Sequence, residues 1–177
     1  MQKILIWIGG AVAALFALLV VVGLVLPQTV SASRSIEIAA APEEVFPHLT
    51  DFNRFAAWSP WSERDPDMLN EVTGEPGRVG HTNSWSGDKT VGVGRQTIAE
   101  IRENEYVRMD LAFEGQGEAT AWFDIEPTAT GSTVTWSFET DLGANPFGKL
   151  MGPMISRFVG TDYEQGLANL KQVVETS

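Results

Sequence analysis

Hydrophobic residues follow two different patterns along this chain, and the first is a continuous apolar run at the amino-terminal end. Residues 4–26, ILIWIGGAVAALFALLVVVGLVL, contain no charged or strongly polar side chain. A helix rises about 1.5 Å per residue, so this run spans roughly 34 Å, enough for a bilayer core of about 30 Å. The pattern predicts a single transmembrane anchor over residues 4–26, followed by a short spacer over 27–32 and a folded domain over 33–177.

A cleaved signal peptide is the alternative for the same segment. Val30-Ser31-Ala32 offers small residues of the kind a signal peptidase accepts. The apolar run is longer, however, than the roughly 7–15 residues of a typical signal core, which favours an anchor that is retained. Lys3 precedes the run and Arg34 is the first charge after it. This distribution favours a cytoplasmic amino terminus with the domain on the extracytoplasmic side of the membrane.

The second pattern is an alternation of apolar and polar residues with a period of two. It begins at Ser33–Ala40 and returns repeatedly between residues 68 and 142, interrupted by turn residues. The predicted strands cover residues 33–40, 68–73, 79–86, 90–102, 105–113, 118–126 and 132–142. Each has one apolar and one polar face, so we expect an antiparallel sheet with one face in water.

Helical signals occupy the two remaining regions. Pro42 fits the first position of a short helix, and Asp51 is a suitable N-cap for a second that runs through Ala57. From Ile155 to Val174, apolar residues recur every three or four positions, which predicts an amphipathic helix of about 20 residues. The sequence therefore predicts an α+β fold in which a curved antiparallel sheet grips a long C-terminal helix, with two short helices after the first strand. The gap between sheet and helix is either filled by aromatic side chains or left as a pocket.

Composition excludes several classes of function. The formal net charge is −11, and a surface of this sign repels nucleic-acid phosphates, so no nucleic-acid partner is expected. The chain has no cysteine, which excludes disulfides and thiolate metal sites. The two histidines, His48 and His81, do not have metal-ligand spacing, and neither a P-loop nor a nucleophile elbow is present. We therefore expect no metal and no cofactor, and no catalytic residue can be named from the sequence.

Four segments carry a resemblance to a known family. They are SRSIEIAAAPEEVFPHLTDFNRFAAWSPW, DPDM, SWSGDKTVGVGRQTI and YEQGLANLKQ. Over residues 33–175 the chain resembles the START/SRPBCC (helix-grip) superfamily, and within it the bacterial polyketide cyclase/dehydrase and lipid transport proteins. The resemblance implies an apolar cavity between sheet and long helix that binds a lipid, polyketide or other hydrophobic compound. Only some members of the superfamily are enzymes, and members of this subfamily often carry an amino-terminal membrane segment.

The candidate cavity residues come from the predicted inner faces and from the WSPW motif at 58–61. If Gly92 and Gly94 face the helix, they clear space, and Gln96 becomes a lone polar group in an apolar pocket. The opposite register would bury Arg95, which is costly without a partner. Trp58 and Trp61 are expected to brace a corner of the fold and to wall the cavity mouth. The full candidate set is Trp58, Trp61, His81, Trp85, Gly92, Gly94, Gln96, Phe113, Trp136, Phe138, Met154 and Phe158.

Three functions follow from this site. The preferred one is a membrane-anchored binding protein for a small hydrophobic ligand, with Gln96 orienting its polar end. The second is a cyclase, dehydratase or hydrolase in the same cavity, for which His81 is the best acid–base candidate. The third is an interaction module of a membrane complex, with a cavity filled by its own side chains.

Overall fold

The computed structural model describes residues 2–115 and 117–177, except for the side chains of residues 2, 3, 5 and 6. Its elements follow the predicted order, with a long helix at each end of the chain and the strands between them. In chain order they are α1 (Gln2–Val25), β1 (Thr29–Ile38), α2 (Pro42–Thr50), α3 (Phe52–Phe55), α4 (Pro60–Arg64), β2 (Leu69–Thr73), β3 (Thr82–Ser86), β4 (Val93–Arg102), β5 (Tyr106–Phe113), β6 (Gly117–Thr128), β7 (Gly131–Asp141), α5 (Pro146–Leu150) and α6 (Gly152–Glu175).

The described strands form one antiparallel sheet in the order β1-β7-β6-β5-β4-β3-β2. The first strand therefore pairs with the last, and the short β2 lies at the far edge. β1 begins at Thr29, earlier than its alternation predicted, because its ladder with β7 continues as far as Thr29 opposite Asp141. A register shift between Ile98 and Glu100 bends β4 against β5, and such irregularities increase the curvature of a sheet. The predicted α+β fold with a curved antiparallel sheet is confirmed.

One face of the sheet forms the core, as the alternation requires. In β6, Ala119, Ala121, Phe123 and Ile125 are all buried, whereas the residues between them are not. Helix α6 crosses this face and contributes Tyr163, Leu167, Leu170 and Val174 to the core. Burial of these apolar side chains from both layers is the main force that holds the helix on the sheet.

A close approach between α6 and the sheet depends on one glycine. A Cβ atom at Gly166 would lie 2.8 Å from Cζ3 of Trp136 and 3.2 Å from Cδ of Pro60. Real side chains avoid such contacts, so the absence of a side chain at this position brings α6, β7 and α4 together.

The short helices form the corner between β1 and β2. The Asp51 carboxylate caps α3 by accepting a hydrogen bond from the Asn53 N–H at 3.0 Å, as predicted. The structure adds a third short helix, α4, at the corner where the sequence predicts only the WSPW motif. Ser59 is its N-cap and Pro60 its first residue, an order typical of helix starts. Its five residues are too few to show an apolar period.

Helix α1 is the one described helix long and apolar enough to cross a membrane, and signal sequences pass the same test. Most of its apolar side chains are exposed, including Trp7, Leu15 and Val21. Near its end it packs against α5, where the Phe16 and Phe147 rings lie 5.7 Å apart. Helix α1 thus presents a largely apolar outer surface over its described side chains.

Candidate functional site

A cavity of about 160 Å³ lies between the inner face of the sheet and α6. Its floor comes from β3 to β7, one wall from Val159 and Tyr163 of α6, and its cover from Phe55, Trp61 and Met68. The sheet curves away from the helix at this end, which leaves the space that close packing elsewhere removes.

Aromatic rings form most of the wall. Trp136 and Tyr163 stack with centroids 3.8 Å apart and planes 9° from parallel. Trp61 meets Trp136 edge to face at 5.8 Å, and on the far side Trp85 meets Phe113 edge to face at 5.7 Å. The two edge-to-face contacts suit the quadrupoles of the rings and help to fix their positions. The cavity is therefore lined by rigid aromatic surfaces, which are well suited to contact with another ring.

Amide side chains interrupt this apolar lining, and two of them lie on adjacent strands. Asn83 of β3 and Gln96 of β4 are directly opposite each other in the ladder, and only 3% and 7% of their surfaces are exposed. Asn83 Nδ2 donates to Oδ1 of Asn70 at 3.2 Å. Within residues 2–115 and 117–177, Asn83 Oδ1 is fully buried without a hydrogen-bond partner, and Gln96 beside it, 7% exposed, makes no side-chain hydrogen bond. Buried amides are normally satisfied, so the Asn83 oxygen is exceptional.

Polar contacts close the cavity mouth. Arg64 of α4 pairs with Asp162 of α6, and a second contact between them, Nη1 to Oδ2, measures 3.4 Å. Asp65 Oδ2 accepts a hydrogen bond from the Asp88 N–H at 2.7 Å, which joins the segment after α4 to the turn before β4. The cover over the cavity is therefore held to both the helix and the sheet.

Tyr163 and Asp162 are the ionisable side chains of the cavity wall among the residues that the structure describes. Burial raises the pKa of the Tyr163 hydroxyl well above its usual range, and the nearby Asp162 charge acts in the same direction. The hydroxyl therefore remains protonated and neutral at any physiological pH.

His81 lies in the core beside the cavity and not in its wall. Its Nε2 accepts a hydrogen bond from the Phe52 N–H at 3.0 Å, and its Nδ1 lies 3.3 Å from the carbonyl oxygen of Gly74. The ring also stacks on Phe52 at 5.0 Å. These contacts require the neutral tautomer with the proton on Nδ1, and they use both ring nitrogens to hold α3 and the loop after β2 together.

The structure brings half of the predicted cavity residues together at the wall and places the others elsewhere. Those at the wall are Trp61, Trp85, Gln96, Phe113, Trp136 and Phe138. Trp58 lies behind them in the core, where its Nε1 donates to the His48 carbonyl oxygen at 3.2 Å. Gly94 lies beneath the Trp85 ring, since a Cβ atom there would be 2.5 Å from Cζ2. Gly92 lies in the turn before β4 with a positive φ of 74°.

Met154 and Phe158 are exposed on the surface of α6, at 44% and 63%. The helix period explains this placement. Ile155, Val159 and Tyr163 face the sheet, and the preceding position in a helix is rotated by about 100° from each of them. Phe158 thus points away from the cavity that its neighbour Val159 lines.

The wall also contains residues that were not among the candidates. They are Phe55, Ser59, Met68, Asn70, Asn83, Val91, Met109, Leu111, Ala121, Val159, Asp162 and Tyr163. The sequence pattern could have indicated several of them as cavity residues. Met109, Leu111 and Ala121 fall on the predicted inner strand faces, and Tyr163 falls on the predicted apolar stripe of the helix. For Asn70 and Asp162 the sequence contains no such indication, since Asn70 depends on how β2 folds over the sheet and Asp162 on how α4 packs against α6.

Comparison with known families identifies the fold. Residues 29–175 match the model of the family described as polyketide cyclase / dehydrase and lipid transport. The chain belongs to this family. A search of curated proteins found no match.

Solved structures with this fold share little sequence with the chain. The protein CV1439 from Chromobacterium violaceum is 20% identical, with a TM-score of 0.60 over 84% of this chain and 99% of that one. The Staphylococcus aureus protein SA2116 is 14% identical, with a TM-score of 0.65 over 84% and 95%. The di-domain ARO/CYC protein StfQ of the steffimycin biosynthetic pathway is 12% identical, with a TM-score of 0.62 over 84% and 51%. At these identities the likeness establishes the helix-grip fold alone.

Proposed function

We propose that this chain is a membrane-anchored binding protein for a small hydrophobic molecule held between the sheet and α6. The observation that carries the proposal is the aromatic cavity itself, closed by α4 and lined on several sides by tryptophan and phenylalanine rings. Pockets of this kind, mostly apolar with a few polar groups, are the usual form of small-molecule sites. Membership of a family described by polyketide and lipid chemistry supports the same class of ligand.

The volume of the cavity limits the size of the ligand that it can hold. The volume is about 160 Å³, whereas sites for drug-sized ligands enclose about 300–1,000 Å³. An engineered cavity of about 150 Å³ in another protein accepts benzene or xenon. A cavity of this volume accommodates one aromatic ring, and we expect a lipid chain or a fused-ring polyketide to require α4 and its cover to move outward.

The ionisable groups in and beside the cavity favour a binding function over a catalytic one. General acid–base catalysis is most effective when a group has a pKa near the working pH. Tyr163 has its pKa raised far above that range by burial, and Asp162 is occupied by Arg64 at the mouth. His81, the acid–base candidate from the sequence, directs both ring nitrogens to backbone groups and not to the cavity.

Native mass spectrometry of the full chain released from lipid nanodiscs tests the binding proposal. We expect a small apolar molecule to leave with the protein, or an added single-ring compound such as toluene to bind stoichiometrically. A cavity that carries nothing and takes up no ring compound would contradict the proposal.

Cell fractionation tests the anchor. The outward apolar surface of α1 supports retention in a bilayer. We expect the full chain to sediment with membranes and to resist extraction by high salt and alkaline carbonate. Recovery of a shortened chain in the soluble fraction, with its amino terminus near residue 33, would instead indicate a cleaved signal sequence.

A further inference from the structure

The unpartnered amides in the cavity provide information about the ligand beyond its size. Gln96 and Asn83 project from adjacent strands at directly opposite positions. Both are more than nine-tenths buried, and in the described part of the chain the Gln96 amide and Asn83 Oδ1 make no hydrogen bond. Isolated buried polar groups destabilise a fold. A ligand that supplies the missing hydrogen bonds would remove that cost.

These amides also face the aromatic wall across the cavity. Trp136 and Tyr163 are stacked on the α6 side, whereas Asn83 and Gln96 belong to β3 and β4 near the far edge of the sheet. A single ring that fills the space would therefore contact the stacked pair with one part and present its substituent to the amides with another.

Charge excludes ionised ligands. Among the described residues, the cavity wall has no lysine or arginine, and Asp162 at the mouth carries a negative charge already paired with Arg64. A carboxylate or phosphate inside the cavity would be desolvated without a counter-ion, which is strongly unfavourable. An ammonium group would find no free carboxylate there.

Resting on the proposed binding function, we propose that the ligand is a neutral single-ring molecule bearing a hydroxyl group, which is held by Gln96 and Asn83. A side-chain amide has both a donor and an acceptor, and a hydroxyl has both as well, so the two groups satisfy each other. Asn83 Oδ1 is a second acceptor beside the first, because it is buried without a partner, while one hydrogen of Asn83 Nδ2 is used by Asn70.

Phenol and toluene form a matched pair of probes, since a hydroxyl and a methyl group are similar in size. Their affinities are measured by calorimetry on the full chain in lipid nanodiscs, with empty nanodiscs as the partition blank. The ratio of the two affinities is then compared between the wild type and Gln96→Met, which keeps the side-chain length but removes the amide. Asn83→Leu is a second variant of the same kind, and Gln172→Met makes the same change on the exposed surface of α6.

We expect the preference for phenol over toluene to fall about fivefold or more in Gln96→Met, the equivalent of one lost hydrogen bond. Asn83→Leu should reduce the same ratio, whereas Gln172→Met should leave it unchanged. Retained toluene affinity in the variants shows that the cavity is intact.

Two outcomes separate this inference from the function on which it rests. If phenol and toluene bind and their ratio is the same in wild type, Gln96→Met and Asn83→Leu, the amides do not select a hydroxyl and the inference is overturned. Tighter binding of benzoate than of phenol would also overturn it. If neither phenol nor toluene binds the wild type, the proposed function itself fails.

Discussion

At the residue scale, polar side chains inside this domain fall into two groups that the sequence does not distinguish. His81 is buried with hydrogen bonds at both ring nitrogens. Gln96 is 7% exposed and makes no side-chain hydrogen bond among the described residues, and Asn83 Oδ1 opposite it is buried without a partner. The first arrangement stabilises the fold, and the second lowers stability while it equips the cavity with a polar group, as is common at binding sites.

Replacement of Gln96 should therefore stabilise the empty protein. In Gln96→Met an apolar side chain of similar length takes the place of an unsatisfied amide, and we expect the free energy of unfolding to rise by about 1 kcal/mol. Urea denaturation of the full chain in nanodiscs, followed by tryptophan fluorescence, measures the change. The surface variant Gln172→Met should shift stability by less than about 0.5 kcal/mol. A loss of stability in Gln96→Met would mean that its amide has a partner.

His81 and His48 form a second matched pair. We expect His81→Leu to lower the free energy of unfolding by about 2–4 kcal/mol, because it leaves the Phe52 N–H buried without a partner and removes the contact with the Gly74 carbonyl. His48 Nδ1 is buried without a partner among the described residues, and burial lowers the pKa of this histidine.

His48→Leu should accordingly be neutral or stabilising in the same denaturation experiment. Equal destabilisation by both leucine substitutions would contradict the role assigned to the His81 hydrogen bonds.

At the element scale, the fold depends on how closely α6 approaches β7 and α4. Two glycines of α6 contact their surroundings differently. Gly166 faces the rigid ring of Trp136 and the ring of Pro60, whereas Gly160 faces the end of the Arg34 side chain. Since an arginine end can move and a packed indole cannot, the same substitution should have opposite effects at the two positions.

We expect Gly166→Ala to destabilise the protein by about 1–3 kcal/mol, because the added methyl group forces α6 away from Trp136. Gly160→Ala should be neutral or should stabilise by up to about 1 kcal/mol through its higher helix propensity. Thermal unfolding followed by circular dichroism distinguishes the two. If Gly166→Ala were as stable as Gly160→Ala, the close packing of α6 on the WSPW corner would be wrong.

The geometry of strands and helices also explains which cavity residues could be predicted from the sequence. Alternation places Phe113, Trp136 and Phe138 on the inner sheet face because a strand has only two faces. The cost of burying Arg95 selects the register that turns Gln96 inward, and the structure has Arg95 exposed and Gln96 buried. Which side of a helix faces the sheet is harder to predict than which face of a strand does, because each residue is rotated by about 100° from the one before it. Met154 and Phe158 were assigned to the cavity, but this rotation places them outside it.

Trp58 and Trp61 show that a short sequence motif does not predict which of its residues reaches the cavity. Both belong to one four-residue motif, and both were expected to brace the corner and wall the cavity. The structure divides these roles, because α4 begins between them at Pro60. Trp58 is 1% exposed in the core, and Trp61 reaches the cavity wall. A five-residue helix is fixed by its tertiary contacts, which a single sequence does not contain.

At the scale of the whole molecule, the chain joins an apolar helix to an acidic domain with a cavity of ring size. In the proposed role of a membrane anchor, α1 would hold this cavity close to the bilayer, into which apolar compounds partition. A volume of about 160 Å³ limits the size of the ligand, so we interpret the domain as a binder of single rings.

The most direct test of this account is a titration of the full chain with toluene, followed through its indole N–H resonances in lipid nanodiscs. Trp61, Trp85 and Trp136 line the cavity, whereas Trp7 lies in α1 and Trp122 on the opposite face of the sheet, so the chain contains its own controls. The account predicts saturable shifts of the three cavity indoles with Trp7 and Trp122 unchanged relative to empty protein. Shifts confined to Trp7, or equal small shifts at every indole, would show partition into the bilayer without occupation of the cavity and would contradict it.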